Sequence, residues 1–218
     1  LNENYQTNHL RLKGNNMTLD NSNFSSIVDG SFCEVSLNDI KLLMCAKPWE
    51  NEGAVFLTLN SSIEIKAILI WNSNLSHVFL LRNMKFMRLE NCSIELSLLT
   101  FFLSASFSDQ LLISLLKFNF TYENQNFLLF NVKETNLLRI YKTDLGSDWA
   151  VRNFKTKNKL FNVNNSNIEV DDFSVYNLFT ANCDIIYMDL TKGGITFRNV
   201  NFISFVSSDS RIVIFNAN

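Results

Sequence analysis

The strongest constraint on this chain is a repeat. Apolar residues recur at Met17, Ile40, Ile63, Met87, Ile113, Leu138, Ile168 and Ile195, at spacings of 23, 23, 24, 26, 25, 30 and 27 residues. Two positions further on stand Leu19, Leu42, Ile65, Leu89, Leu115, Ile140, Val170 and Phe197. Every residue between the two is polar: Thr18, Lys41, Glu64, Arg88, Ser114, Arg139, Glu169 and Thr196. An in-out-in triplet repeated down the chain predicts strands with one buried face. A further column, seven positions after each start, holds Phe24, Ile70, Ile94, Phe120, Leu145, Val175 and Phe202, and breaks only at Lys47, next to the single proline, Pro48. Between triplet and column lie Asn, Ser or Asp (Asn21, Asn23, Asn91, Asn119, Asp172 and Asn199 among them). These residues tolerate left-handed backbone and bond to their own main chain, so they mark a bend. With 31 Asn against 6 Gly, Asn takes the corner role that Gly fills elsewhere.

A second segment in each row is an apolar run ending in Asn or a near equivalent, as in Val55–Asn60, Val78–Asn83, Phe127–Asn131 and Leu160–Asn164. Its endings (Asn38, Asn60, Asn83, Ser104, Asn131, Asn164, Asp189 and Asn216) predict a ladder of amides along a stacking axis. A row of roughly 25 residues cannot bury its own apolar face, so rows must stack, each strand bonding to its equivalent roughly 4.8 Å away. The expected fold is all-β: a right-handed parallel β-helix of about eight coils, with three short strands per coil and uncapped ends, forming a single domain over 1–218 that is a segment of a longer protein. Leucine-rich, helical and propeller repeats are excluded by the absence of their frames and of recurring hairpin turns. Segments 47–53, 104–112 and 146–159 break the period and are expected to project as loops. In the outward column, Glu64 over Arg88 and Arg139 over Glu169 are expected to form ion pairs.

At this point the rows resemble the right-handed parallel β-helix superfamily, the fold of pectin lyases and many adhesins. The carrying rows are IEVDDFSVYNLFTANCDIIYMDLTKGG and ITFRNVNFISFVSSDSRIVIFNAN. They are also similar to large Asn-rich surface proteins of ciliate-like protists. The resemblance implies a fold and leaves function open among enzymes, adhesins and structural filaments.

Chemistry is sparse. A net charge of −2 gives no basic field for nucleic acid. The most apolar window, Leu96–Leu116, holds five Ser with Asp109 and Gln110, so it is not expected to span a membrane. The two histidines, His9 and His77, lie far apart, and the cysteines have no zinc spacing, so no metal or other cofactor is expected. A disulfide between Cys33 and Cys45 is a candidate, against buried free thiols. Enzymes that this fold resembles cleave acidic polysaccharide with clustered Asp; the nearest candidates here, Asp171, Asp172 and Asp189, lack the spacing of an acid and a base held apart.

Sequons occur at Asn16, Asn23, Asn60, Asn74, Asn91, Asn119 and Asn164. Glycans are expected at Asn16, Asn23, Asn74, Asn91, Asn119 and Asn164, and none at Asn60 in the inner ladder. The loop 146–159 carries Trp149, Arg152, Lys155, Lys157 and Lys159, an aromatic and basic candidate contact surface on a slightly acidic body. The expectation is a non-enzymatic extracellular structural or adhesive protein. It would stack end to end with itself or neighbouring segments and meet surface glycans or proteins. The alternatives are a carbohydrate-active enzyme (a polysaccharide lyase or hydrolase) and a glycan- or protein-binding module.

Overall fold

The structure is a computed structural model that describes residues 10–21, 26–45, 54–120, 127–146, 159–177, 179–181, 185–190, 192–203, 206–208 and 213–217. The described residues hold strands and no helix. In chain order the strands are β1 (Leu10–Asp20), β2 (Val28–Ser31), β3 (Cys33–Leu43), β4 (Ala54–Leu59), β5 (Ser62–Ile65) and β6 (Ile68–Trp71). Then come β7 (Asn74–Arg82), β8 (Phe86–Ser106), β9 (Gln110–Phe120), β10 (Leu128–Lys133), β11 (Leu137–Gly146) and β12 (Lys159–Asn164). The last are β13 (Ile168–Tyr176), β14 (Phe179–Ala181), β15 (Ile186–Leu190), β16 (Ile195–Ile203), β17 (Val206–Ser208) and β18 (Val213–Ala217).

All strand pairs are parallel, and each joins one row to the next. One ladder runs β1, β3, β5 with β6, β8, β9, β11, β13, β16; the other runs β2, β4, β7, β8, β10, β12, β15, β18. This is a parallel β-solenoid. The row of β5, β6 and β7 shows its three faces as three separate strands. In the next row, β8 passes round all three faces as one strand, pairing in turn with β5, β6 and β7.

Left-handed backbone makes the corners. The first corner holds Asn16, Asp39, Asn91, Leu115, Lys142, Asp172 and Asn199, all with φ between 51° and 55°. The second holds Asn21, Met44, Asn72, Leu96 and Asn177; the third holds Phe32, Asn60, Asn83, Phe107, Glu134 and Asn165. Among the described residues, eleven of the eighteen non-glycine positions with positive φ are Asn or Asp, as the bend column leads one to expect. The ladder continues across the corner: Asn60 N–H donates to Arg82 O and Asn72 N–H to Glu95 O, both at 3.0 Å. Each corner inserts one extra outward residue, so the in-out alternation changes parity there. Ser114 and Leu115 both face out before Leu116 turns in.

That parity change corrects the alignment of rows. Every row carries two in-out-in triplets, one before and one after the first corner. The first column is Leu12, Val35, Ile63, Met87, Leu111, Leu138, Ile168 and Ile195; Ile113 instead stacks between Leu89 and Ile140. Met17 and Ile40 pair with each other but belong to the column of Ile68, Cys92 and Leu116. The further column is Leu19, Leu42, Ile70, Ile94, Phe118, Leu145, Val175 and Phe202, with Leu19, Leu42 and Phe118 where Phe24, Lys47 and Phe120 were expected. Phe24 and Lys47 lie outside the described residues. Leu115, expected inside, is 47% exposed.

The core lies between the faces. Phe56 stacks on Phe79 with centroids 5.0 Å apart, Phe79 and Phe130 each meet Phe102 edge to face, and Phe130 stacks on Phe161 at 5.2 Å. Each such pair adds roughly 0.5–1.5 kcal/mol beyond its area. Beside them run two buried hydroxyl columns, one just after the second corners and one just after the third. Ser61 Oγ accepts Cys33 N–H at 3.0 Å, Ser73 Oγ accepts Cys45 N–H at 3.1 Å, and Ser97 Oγ accepts Ser73 N–H at 3.1 Å. Ser108 Oγ takes Met84 N–H at 3.4 Å and Ser166 Oγ takes Thr135 N–H at 3.0 Å. Each of these serine hydroxyls also donates to the carbonyl two residues back. Backbone groups that a corner would strand in apolar surroundings are thereby satisfied.

Further expectations are corrected here. Cys33 and Cys45 are free and buried, because the extended β3 separates them by far more than a disulfide spans. Segment 104–112 is no loop: Ser104–Ser106 end β8, Phe107 is a corner and Gln110 opens β9. Segment 47–53 lies outside the described residues, as does 147–158 of the last loop. The Leu96–Leu116 window is strand, and no helix among the described residues is long and apolar enough to cross a membrane.

Candidate functional site

The outer surface of β11, β13 and β16 holds a shallow groove of about 200 Å³. Residues two apart on a strand point the same way, so three stacked strands set two outward columns side by side. Arg139, Glu169 and Thr196 form one; Tyr141, Asp171 and Arg198 form the other. Arg139 donates to Glu169 Oε2 from Nη2 at 2.7 Å and from Nε at 2.8 Å. Both side chains are about half exposed, so the pair contributes at most ~1 kcal/mol and chiefly orients the guanidinium. The Lys142 ammonium, carried on a left-handed corner, sits 5.2 Å from the centre of the Tyr141 ring. Asn199 Nδ2 lies 3.1 Å from Asp171 Oδ1 and 3.1 Å from Asp172 Oδ1, so one amide serves both carboxylates.

The arrangement offers a flat ring face beside oriented donors and acceptors. Asp171 and Asp172 are neighbours on a solvated corner sharing one donor, not an acid and a base facing each other across a cleft. Asp189 stands on β15, in the other ladder. No group of three or more His, Cys, Asp or Glu among the described residues could hold a metal. Burial pushes the Cys92 thiol well above its ordinary range, which makes it inert rather than nucleophilic.

The sequons are dispersed. Asn16 and Asn91 are exposed and share the first corner, with φ of 53° and 55°. Asn74, Asn119 and Asn164 are half-buried in β7, β9 and β12; Asn23 lies outside the described residues. Asn60 is a third-corner residue with φ 52°, so the inner-ladder ground for excluding a glycan there falls away. The ladder expected along the row endings is not one column. Asn162 Nδ2 donates to Asn131 Oδ1 at 2.8 Å and Asn131 Nδ2 to Ser104 Oγ at 3.1 Å, while Asn164 pairs in register with Lys133 and Asp189. Arg88 bonds Glu90 on its own strand and not Glu64, although Glu64 and Arg88 are in register. The contact-loop residues Trp149, Arg152, Lys155 and Lys157 lie outside the described residues, and Lys159 opens β12, its N–H donating to Phe127 O at 2.7 Å.

Sequence reasoning missed Tyr141, Arg198 and the two hydroxyl columns. The pairs Asn60–Ser61, Asn72–Ser73 and Asn165–Ser166, each a corner residue followed by an inward hydroxyl, were the available signal. No protein-family model, curated protein or solved structure matches the chain.

Proposed function

We propose that the chain is a segment of a non-enzymatic structural or adhesive protein of the cell exterior, glycosylated on its corners. The observation that carries this reading is the in-register repetition of the same corners row after row, an architecture that extends along an axis rather than closing round a reaction cleft. The exposed sequon corners at Asn16 and Asn91 support a secreted location. Electron microscopy of native material tests the scaffold: extended fibres or stalks are expected, and discrete compact particles would refute it. Mass spectrometry after glycosidase treatment tests the compartment, with a loss of mass expected at Asn91.

A second reading, a glycan- or protein-binding module, draws on the Tyr141 groove. An aromatic face flanked by Arg139, Glu169, Asp171 and Arg198 suits a sugar ring or an extended peptide. Glycan-array binding lost in Tyr141→Ala, with the circular dichroism spectrum unchanged, would favour it. The shared amide on Asp171 and Asp172 weighs against the depolymerase alternative.

A further inference from the structure

A polar trough of about 660 Å³ runs along the third corner, in a part of the surface that the Tyr141 groove does not reach. Two residues after the corner residues Phe107, Glu134 and Asn165 stand Asp109, Asn136 and Asn167. The three rows lie within the stack: Asp109 N–H donates to Met84 O on one side, and Ile168 N–H to Gly194 O on the other. The trough is therefore a feature of the flank and owes nothing to either end of the chain.

Its side chains hold one another in place. Asn136 Nδ2 donates to Asp109 Oδ1 and Asn167 Nδ2 to Asn136 O, both at 2.9 Å. Asp109, Asn136 and Asn167 are all exposed, and no described residue donates to Asp109 Oδ2, Asn136 Oδ1 or Asn167 Oδ1. The place beyond Asn167 in the next row is Gly194. A Cβ there would stand 3.7 Å from Asn167 Oδ1, so the bare glycine leaves this acceptor uncovered.

Three observations narrow the ligand. The N–H groups of Phe107, Asp109, Glu134, Asn136, Asn165 and Asn167 all donate to carbonyls of neighbouring rows, so an added peptide strand would find no backbone donor to pair with. Charge is matched, since Glu134 meets the Lys133 ammonium at 3.7 Å and Lys192 lines the trough opposite in sign to Asp109; no net field draws an anion or a cation. The one large apolar surface is the Phe107 ring, 43% exposed, with Lys133 Nζ 5.7 Å from its centre. We propose that this trough binds a neutral glycan. A sugar hydroxyl is donor and acceptor at once. It can give its proton to Asp109 Oδ2, Asn136 Oδ1 or Asn167 Oδ1 and accept the second N–H of either amide, while a C–H face of the ring packs on Phe107. The proposal draws on the exterior reading above for the presence of glycans, and it is independent of the Tyr141 groove.

Saturation-transfer NMR of the chain tests it with neutral gluco-, galacto- and manno-oligosaccharides, beside sulfated and uronate oligosaccharides as anionic probes. Transfer to a neutral probe is expected, with a Kd on the order of 1 mM for a few uncharged hydrogen bonds on an open surface. Asn136→Ala and Asn167→Ala should each weaken it about fivefold, the loss of one such bond. Gly194 is not left-handed and accepts a side chain without strain, so Gly194→Asn keeps every binding group yet sets an amide against Asn167 Oδ1; it too should weaken binding. Phe107→Asn should weaken binding without lowering the urea midpoint, because Asn suits a left-handed corner better than Phe; a merely structural role would not separate the two readouts. Ser93→Ala, on another face, should leave binding unchanged. No transfer to any neutral probe at about 10 mM would overturn the proposal, as would tighter binding of the anionic probes. Loss of binding in Tyr141→Ala, with Asn136→Ala and Asn167→Ala at the parent affinity, would overturn this site and leave the groove reading intact. Binding lost in the trough variants from a chain that carries no glycan mass at Asn91 would uphold the site and count against the exterior location alone.

Discussion

Ser73→Ala isolates one rung of the hydroxyl column that follows the second corners. Ser73 is 2% exposed, and its Oγ accepts Cys45 N–H at 3.1 Å and donates to Trp71 O at 3.0 Å. Alanine keeps the backbone and removes only the oxygen. The Trp71 carbonyl is not orphaned, because Met44 N–H still reaches it at 2.9 Å. The loss therefore falls on Cys45 N–H, a donor left without an acceptor beside a buried thiol. A stranded buried donor costs about 1–3 kcal/mol, and about 2 kcal/mol is expected here. For a chain of this length that lowers Tm by roughly 4–8 °C. Urea unfolding should show the midpoint falling at constant m, so that the change lies in stability and not in the compactness of either state. Ser93→Ala is the control: that hydroxyl faces outward to Glu95 Oε1 at 2.9 Å, and its loss should stay within about 0.5 kcal/mol. Ser73→Cys should fall between the two, since cysteine occupies the equivalent places at Cys33 and Cys45. A Ser73→Ala variant within about 0.5 kcal/mol of the parent would refute the column as a structural device.

Thr143 is fully buried in β11 and its Oγ1 has no hydrogen-bond partner, so Thr143→Val should stabilise by about 1 kcal/mol in the same urea assay. Leu115 holds φ 55° with its side chain in water, whereas Asn91 fills the equivalent place one row earlier; Leu115→Asn should raise stability by about 0.5–1 kcal/mol. Cys92 should resist a thiol-specific chromogenic reagent in the folded chain and react on unfolding. Because its folded pKa is raised, its contribution to stability is complete below the unfolded thiol pKa of about 8.5 and declines as pH rises past it. Urea midpoints from pH 7 to 10 should therefore fall less steeply in Cys92→Val than in the parent.

The period, the inward columns and the corner role of Asn were legible because stacking forces the same residue class into the same place in every row. Register was harder, and for a definite reason. Val35-Ser36-Leu37 and Ile40-Lys41-Leu42 are both in-out-in triplets, so the apolar pattern alone cannot tell which one stacks on Ile63-Glu64-Ile65. The slip from Leu111 to Ile113 has the same origin: both are apolar, and only the corner at Leu115 fixes the phase. Bulky residues at left-handed positions, such as Phe32, Leu96 and Phe107, read as core by composition yet face solvent because the backbone turns them out. The Tyr141 groove was hidden for another reason. Its members come from rows 27 to 30 residues apart, and no local motif joins Tyr141 to Asp171 and Arg198.

Because, among the described residues, every strand pairs only with strands of the row before and the row after, a completed row is the mould for its successor. Folding can then proceed vectorially, each newly made stretch of chain zipping onto the last finished edge as it leaves the ribosome. Damage should spread by the same rule: a row that fails to dock leaves its successors without a surface to grow on, so that one misplaced corner truncates the ordered stack from that point onward.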